Sequence, residues 1–303
     1  MAGAEEILHR IAMSFVHFLN ILLMLLQELL YAITPYFLWP FKEPVTGKLV
    51  LLTGAVGGIG RAMAEEFAKR GANLILWDIN EEQLEIFKDS LINKYNVKVY
   101  TKTIDVTNDE MVINAVKDVR NNIGLPDIVF NNAGILGLYE DKIYPMEVID
   151  KVYKLNTRAG ILIVRHFIEP FMERNSGHFV TLGSSSGFFF WPAVQPYIAS
   201  KHAIVGFMSS IRNVFKAERK NVKCLTVNPH FVQTPLMGDI KYENWFLPKL
   251  YPGPVAEKVV NAIECGRAEL FLPKGLFILV VLRGILPTVV MDYILEIGNF
   301  HGM

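Results

Sequence analysis

Two kinds of apolar pattern run along this chain. Residues 7–41 are mostly apolar, and from Ile11 to Gln27 there is no Asp, Glu, Lys or Arg. Leu22, Leu23, Met24, Leu25 and Leu26 are consecutive, so they cover every face of a helix instead of one stripe. Glu28 interrupts the run, a second stretch continues from Leu29 to Phe41, and Pro35 and Pro40 break it further. A bilayer is spanned by about 20 apolar residues. Residues 1–41 are therefore expected to be a hydrophobic anchoring segment that crosses a membrane or lies in one leaflet, with Tyr31, Tyr36 and Trp39 at headgroup level. Acidic Glu5 and Glu6 ahead of the run, with no small-residue cleavage site after it, argue against a signal peptide. A buried amphipathic helix is the alternative. The flanking charges, Arg10 before and Lys42 and Lys48 after, are too balanced to set an orientation.

From Lys48 onward, short apolar runs alternate with stretches of helical spacing. Lys48–Thr53, Asn73–Trp77, Val97–Thr103, Asp127–Phe130, His178–Leu182 and Val222–Val227 read as strands. Helices are expected over Arg61–Arg70, Glu81–Tyr95, Asp109–Asn122, 147–174 and 198–217. Such alternation predicts one doubly wound α/β domain over 42–303, with a parallel sheet and helices on both faces. A last apolar run, Gly275–Val290, carries only Arg283 and Thr288 as polar interruptions; it reads as a second membrane-contacting helix or as ordinary packing.

Composition narrows the function classes. The 303 residues carry 30 basic and 30 acidic side chains, without the cationic surplus a nucleic-acid binder needs to neutralise phosphates. A hydrophobic share of 51% excludes a natively unfolded chain. Two cysteines, Cys224 and Cys265, exclude a disulfide scaffold and a cysteine-based zinc site, and no metal ligand set is expected.

The first chemical motif is Thr53-Gly54-Ala55-Val56-Gly57-Gly58-Ile59-Gly60, between a predicted strand and a predicted helix. Glycines let backbone approach a pyrophosphate, and the helix start offers unpaired N–H groups and a positive dipole end. Asp78 ends the second strand 24 residues after Gly54, where a carboxylate can accept hydrogen bonds from a ribose diol and would repel a 2′-phosphate. That favours NAD over NADP, with Arg61 a partial offset. The second constellation is Ser184, Tyr197 and Lys201, with Asn156 upstream. Tyr197 and Lys201 are four apart and share one helix face. An ammonium beside a phenol favours the phenolate and is expected to lower the Tyr197 pKa toward what a general base requires. Ser184, in a Ser-Ser-Ser-Gly turn, is suited to hold a substrate oxygen.

In combination these motifs resemble the short-chain dehydrogenase/reductase family. The matching residues are TGAVGGIG at 53–60, Asp105 before Val106, Asn131-Asn132-Ala133-Gly134, Asn156, Ser184, Tyr197 to Lys201, and Asn228-Pro229 leading to Thr234. Ser184 precedes Tyr197 by 13 residues, the family's usual interval; Ser185 and Ser186 fit less well. The resemblance implies a single Rossmann-type sheet of about seven strands and NAD(P)-dependent oxidoreduction. It implies that Tyr197 is the acid/base, that Ser184 polarises the substrate oxygen, that Lys201 binds the nicotinamide ribose and tunes Tyr197, and that Asn156 anchors a relay water. Gly54, Gly58, Ile59, Gly60, Asp78, Asp105, Val106, Asn132, Ala133, Gly134, Pro229, Val232 and Thr234 would contact the cofactor, together with Tyr197 and Lys201, while Ser184 and Tyr197 contact the substrate. The family commonly has Gly where this chain has His230.

The apolar N-terminus, Leu-Trp-Asp at 76–78 and the spacing of Pro229, Phe231, Val232 and Thr234 resemble the membrane- and lipid-droplet-associated branch that holds retinol and 17β-hydroxysteroid dehydrogenases. That branch implies a lipid alcohol as substrate, an endoplasmic-reticulum or droplet surface with the catalytic domain facing the cytosol, and a homodimer. Phe188, Phe189, Phe190 and Trp191 follow the serine turn, and residues 235–253, with Trp245, Phe246, Leu247, Leu250 and Tyr251, fall where the family has a substrate lid. An NADPH-dependent lipid ketone reductase and a non-catalytic droplet-surface protein are the competing readings.

Overall fold

The computed structural model describes residues 2–34, 43–139, 143–189, 194–238 and 247–297, in two units, Met1–Pro40 and Phe41–Met303. The described part of the first unit is a single helix, α1 (Ala2–Ile33), whose segment Glu6–Tyr31 is 26 residues long and holds an 18-residue window of mean hydropathy 1.7. At 1.5 Å per residue that segment is about 39 Å long, more than the roughly 30 Å of a bilayer's hydrocarbon. Side chains from Glu6 to Leu30 are exposed all round the helix. Glu28, expected to interrupt the run, sits inside it: a glutamate keeps its backbone N–H and is a good helix former. The helix ends just before Pro35, as the restricted backbone ahead of a proline requires. Tyr36, Trp39 and Lys42 lie outside the described residues.

In the second unit β1 (Leu49–Thr53), β2 (Asn73–Asp78), β3 (Val99–Thr103), β4 (Ile128–Asn131), β5 (Gly177–Leu182), β6 (Val222–Pro229) and β7 (Glu269–Leu272) form one sheet. Their order is β3-β2-β1-β4-β5-β6-β7, every pair parallel. Between them run α2 (Gly58–Lys69), α3 (Glu81–Lys94), α4 (Asp109–Asp118), α5 (Met146–Tyr153), α6 (Gly160–Arg174), α7 (Gln195–Ala217) and α8 (Pro252–Glu264); α9 (Leu276–Ile285) and α10 (Thr288–Ile297) follow β7. Central strands such as LVLLT and IVFN are buried along their length because helices cover both faces. VYTKT of β3, with only Val99 buried, is an edge strand.

The chain turns from building leftward to building rightward between β1 and β4, which opens a crevice at the strands' C-terminal ends, the place where doubly wound sheets bind ligands. On one face Trp77, Phe167, Phe171, Phe179 and Phe215 build the main apolar core. The helical stretch expected over 147–174 is two helices joined by a wider π-type turn, Lys154–Ala159, which contains Asn156. Such turns cluster at functional sites. The apolar run 275–290 is also not one helix: α9 ends at Ile285, Leu286 turns extended ahead of Pro287, and α10 begins at Thr288. Leu276 and Leu279 of α9 and Met291 and Leu295 of α10 pack with Phe189, Leu247 and Phe271, while Ile278, Ile285, Val289 and Tyr293 face outward.

Candidate active site

Three helices start just past the C-terminal ends of β1, β2 and β3, and they are finished differently. Asn80 closes α3 by accepting the Gln83 amide at 3.1 Å, and Asn108 closes α4 by accepting the Met111 amide at 3.2 Å; each helix also has two acids in its first turn. At α2 the cap is Gly57, which offers no side chain, and the first turn has no acid. The positive end of α2 is therefore open to an anion. The glycines around it are sterically required. Gly54 sits at φ +63, and a Cβ on Gly60 would come within 2.0 Å of the Gly54 carbonyl oxygen. A Cβ on Gly58 would meet the Thr234 Cβ at 2.7 Å, so the segment after β6 lies directly against this turn. An uncapped helix start floored by glycine fits a dinucleotide's pyrophosphate.

Asp78, at the end of β2, accepts the Val56 amide at 3.0 Å and the Asn80 amide at 3.1 Å, which fastens the turn to the neighbouring strand. Arg61 lies 4.3 Å from the Phe87 ring centroid in a cation–π contact. Asp105 closes its own turn, accepting the Thr107 amide at 2.9 Å and hydroxyl at 2.8 Å, and Val106 is buried in the core. Asn132 donates from Nδ2 to the Thr53 and Gly54 carbonyls, both at 2.9 Å, and Thr53 Oγ1 in turn accepts the Asn132 and Ala133 amides. Asn131 donates to the Gly160 carbonyl at 3.2 Å. The Asn-Asn-Ala-Gly stretch thus binds the end of β4 to the glycine turn, a role the spacing alone did not reveal. Pro229 ends β6 opposite Leu272, Val232 bridges to Leu250, and Thr234 is buried.

The side-chain constellation sits at the ends of β5 and α7. The Ser184 hydroxyl accepts the Ser186 amide at 3.1 Å and is hydrogen-bonded to the Tyr197 phenol. Lys201 is buried, lies 5.5 Å from the centre of the Tyr197 ring, and donates from Nζ to the Leu182 carbonyl at 2.8 Å. Asn156 Oδ1 accepts the Ile135 amide at 2.9 Å; its Nδ2 donates to the Ile135 carbonyl at 2.9 Å and to Ser200 Oγ at 3.1 Å. A Cβ on Gly134 would come 3.2 Å from Asn156 Oδ1 and 3.8 Å from Lys201 Nζ, so the β4 and β5 sides of the crevice meet here.

Electrostatics differ from the expectation in one respect. Burial pushes the Tyr197 phenol above its usual range, and the Ser184 hydrogen bond only partly pulls it back. The predicted lowering by Lys201 is outweighed: burial is the largest influence on the phenol, and burial also brings Lys201 itself down to about 8. Phe188 packs edge-on against Phe271 at 5.1 Å, and Phe189 and Leu247 join the apolar cluster of α9 and α10. Tyr251 is exposed, and Phe190, Trp191, Trp245 and Phe246 lie outside the described residues. One contact escaped the spacing argument altogether: buried Ser185 and buried His230 share a 2.9 Å hydrogen bond.

Residues 48–245 match the family described as short chain dehydrogenase. Retinol dehydrogenase 10-A of Xenopus laevis is 31% identical over 280 residues, covering 83% of this chain and 82% of that protein. Estradiol 17-beta-dehydrogenase 11 of Pongo abelii is 34% identical over 250 residues, 81% of each chain. Among solved structures, a short chain dehydrogenase/reductase from Burkholderia phymatum in complex with NAD superposes with a TM-score of 0.71 at 25% identity, covering 80% of this chain and 94% of that one.

Proposed function

This chain belongs to the short-chain dehydrogenase family and is an oxidoreductase related to retinol and steroid dehydrogenases; on that premise we propose that it oxidises a hydrophobic alcohol, such as retinol, a steroid or another lipid alcohol, with NAD as acceptor. The observation that carries this reading is the meeting of Ser184, Tyr197 and Lys201 beside the sheet's switch point, with the uncapped, glycine-floored start of α2 on the same edge.

In this reading the amides of Gly58, Ile59 and Gly60 hold the pyrophosphate, and Asp78 and Asp105 flank the adenosine. Ala133, Gly134, Val232 and Thr234 line the nicotinamide end. The bound nicotinamide supplies a hydride acceptor. Ser184 donates its hydroxyl to the substrate oxygen and orients it toward Tyr197. Tyr197 as phenolate takes the alcohol proton at its hydroxyl oxygen, and as phenol returns one to a carbonyl in the reverse direction. Lys201, an ammonium below about pH 8, would hold the nicotinamide ribose with the N–H groups it does not give to Leu182. Asn156 holds the Ile135 backbone and Ser200 in place, so any relay water depends on a frame it fixes.

Support for NAD comes from the Asp78 carboxylate at the end of β2 and from Arg61, which is engaged on Phe87 and so is a poor candidate to neutralise a 2′-phosphate. Support for a lipid substrate comes from Phe188 and Phe189 following the serine turn into an apolar cluster, where burial contributes about 25 cal/mol per Å² of apolar surface. The 26-residue apolar stretch of α1 and the outward apolar residues of α9 and α10 support placement on an endoplasmic-reticulum or lipid-droplet surface. A homodimer rests on family membership alone. The test is turnover by the full chain in membranes, with NAD and NADP, against retinol, estradiol and a long-chain alcohol. NAD-linked oxidation of at least one is expected; a strong NADP preference overturns the cofactor assignment, and no oxidation of any of them overturns the substrate class.

A further inference from the structure

We infer that His230 is a positioning residue for the serine turn: by holding Ser185 it sets the direction in which Ser184 presents its hydroxyl. This deepens the reading above and rests on it. The turn pivots on Ser185. Its carbonyl accepts the amides of Phe188 and Phe189 at 2.9 and 3.0 Å, and its hydroxyl pairs with His230 Nδ1 at 2.9 Å. On either side of it, Ser184 Oγ accepts the Ser186 amide and the Ser184 carbonyl accepts the Gly187 amide at 2.9 Å. Rotating Ser185 therefore turns Ser184 on one side and the Phe188–Phe189 pair on the other.

His230 is a firm partner for that pivot. Its backbone amide donates to the Leu272 carbonyl at 2.7 Å, which seats it at the ends of β6 and β7, and it is 8% exposed. Burial holds the ring neutral, with its pKa pushed down to about 3, so at physiological pH one ring nitrogen donates and the other accepts. The two strand ends are already in close apposition: a Cβ on Gly183 would lie 2.3 Å from Asn228 Oδ1. Where the family commonly has a glycine after the proline, with no side chain to reach across, this chain has one that ties β6 to the catalytic turn.

The experiment uses the full chain in membranes with NAD and, as probe alcohols, retinol and estradiol. Variants are His230→Ala, His230→Asn, Ser185→Ala and the Ala/Ala double variant. His230→Ala is expected to lower kcat roughly 10-fold or more, as misplacement of a reacting group does, with NAD binding unchanged. Asn carries a donor and an acceptor near the Nδ1 position and should restore most of the rate. Ser185→Ala should match His230→Ala, and the double variant should be no worse than either single. Hydrogen exchange over residues 183–189 should quicken in His230→Ala and slow again in His230→Asn. Unchanged kcat and exchange in His230→Ala, independent multiplication of the two single losses, or a parallel fall in NAD affinity would each overturn the assignment. If the wild-type chain oxidises neither probe alcohol, the function reading fails instead, and the exchange comparison still decides the role of His230.

Discussion

The glycine turn after β1 and the serine turn after β5 occupy equivalent places, each carrying the chain from a strand's C-terminal end toward a helix, yet they are built by opposite means. The first is stripped of side chains: Gly57 caps α2 with nothing, and Gly54, Gly58 and Gly60 sit where a Cβ would collide with neighbouring atoms. The second is dense with side chains, Ser184 on Tyr197, Ser185 on His230, and Lys201 reaching back to Leu182. A turn that is to grip a ligand through backbone amides, as proposed for the first, is best left bare, since its donors are independent of residue type. A turn that is to orient an oxygen toward Tyr197 of α7, as proposed, must be furnished, since only side chains can do so selectively.

Removing the titrating group should separate the two most sharply. Tyr197→Phe is expected to lower kcat for alcohol oxidation by about 10²–10⁴-fold while NAD binding, followed by calorimetry, stays as in wild type. Next in size is the pH response. Burial raises the Tyr197 pKa, so its proton-accepting form is scarce at neutral pH, and oxidation should climb as pH rises above 7, while ketone reduction, served by the abundant phenol, stays level until the pH approaches that raised pKa. An initial-rate profile in both directions checks the sign; an oxidation rate that falls with rising pH assigns the base to another group. Asp78→Ser should act on the bare turn alone, shifting the NADP-to-NAD ratio of kcat/KM upward by about 10-fold, the worth of roughly 1.4 kcal/mol. The smallest effect is expected from Asn80→Ala, which removes the cap of α3: about 1 kcal/mol of stability in a denaturant or thermal melt, with kinetics unaltered.

Much of this contrast was legible in the linear chain, for a physical reason. The glycine turn lies within eight consecutive residues, and Tyr197 and Lys201 are one helical turn apart, so local geometry alone brings each set together. β1, β2, β4, β5 and β6 stood out because a central parallel strand must be apolar along its length, and β3 by its place in the alternation, whereas ELFL of β7 went unread ahead of the longer apolar run that follows it. What was hidden depends on distant pairing. His230 meets Ser185 across 45 residues, and Asn132 finds the glycine turn across 78. The direction of the Tyr197 shift is hidden for the same reason: spacing reports that a lysine is near, not how much water the fold removes from around the phenol. Glu28 was misread differently, as a break in an apolar run, although a charged side chain leaves the helical backbone bonds of α1 intact.

Were α1 seated in a bilayer, as proposed, the reaction would become a surface process. A lipid alcohol dissolved in that same film would share it with the tethered enzyme, and the variable governing its rate would be mole fraction in the membrane, not molarity in the surrounding water. Diluting a fixed amount of substrate with inert phospholipid should then slow turnover even while every bulk concentration is held constant.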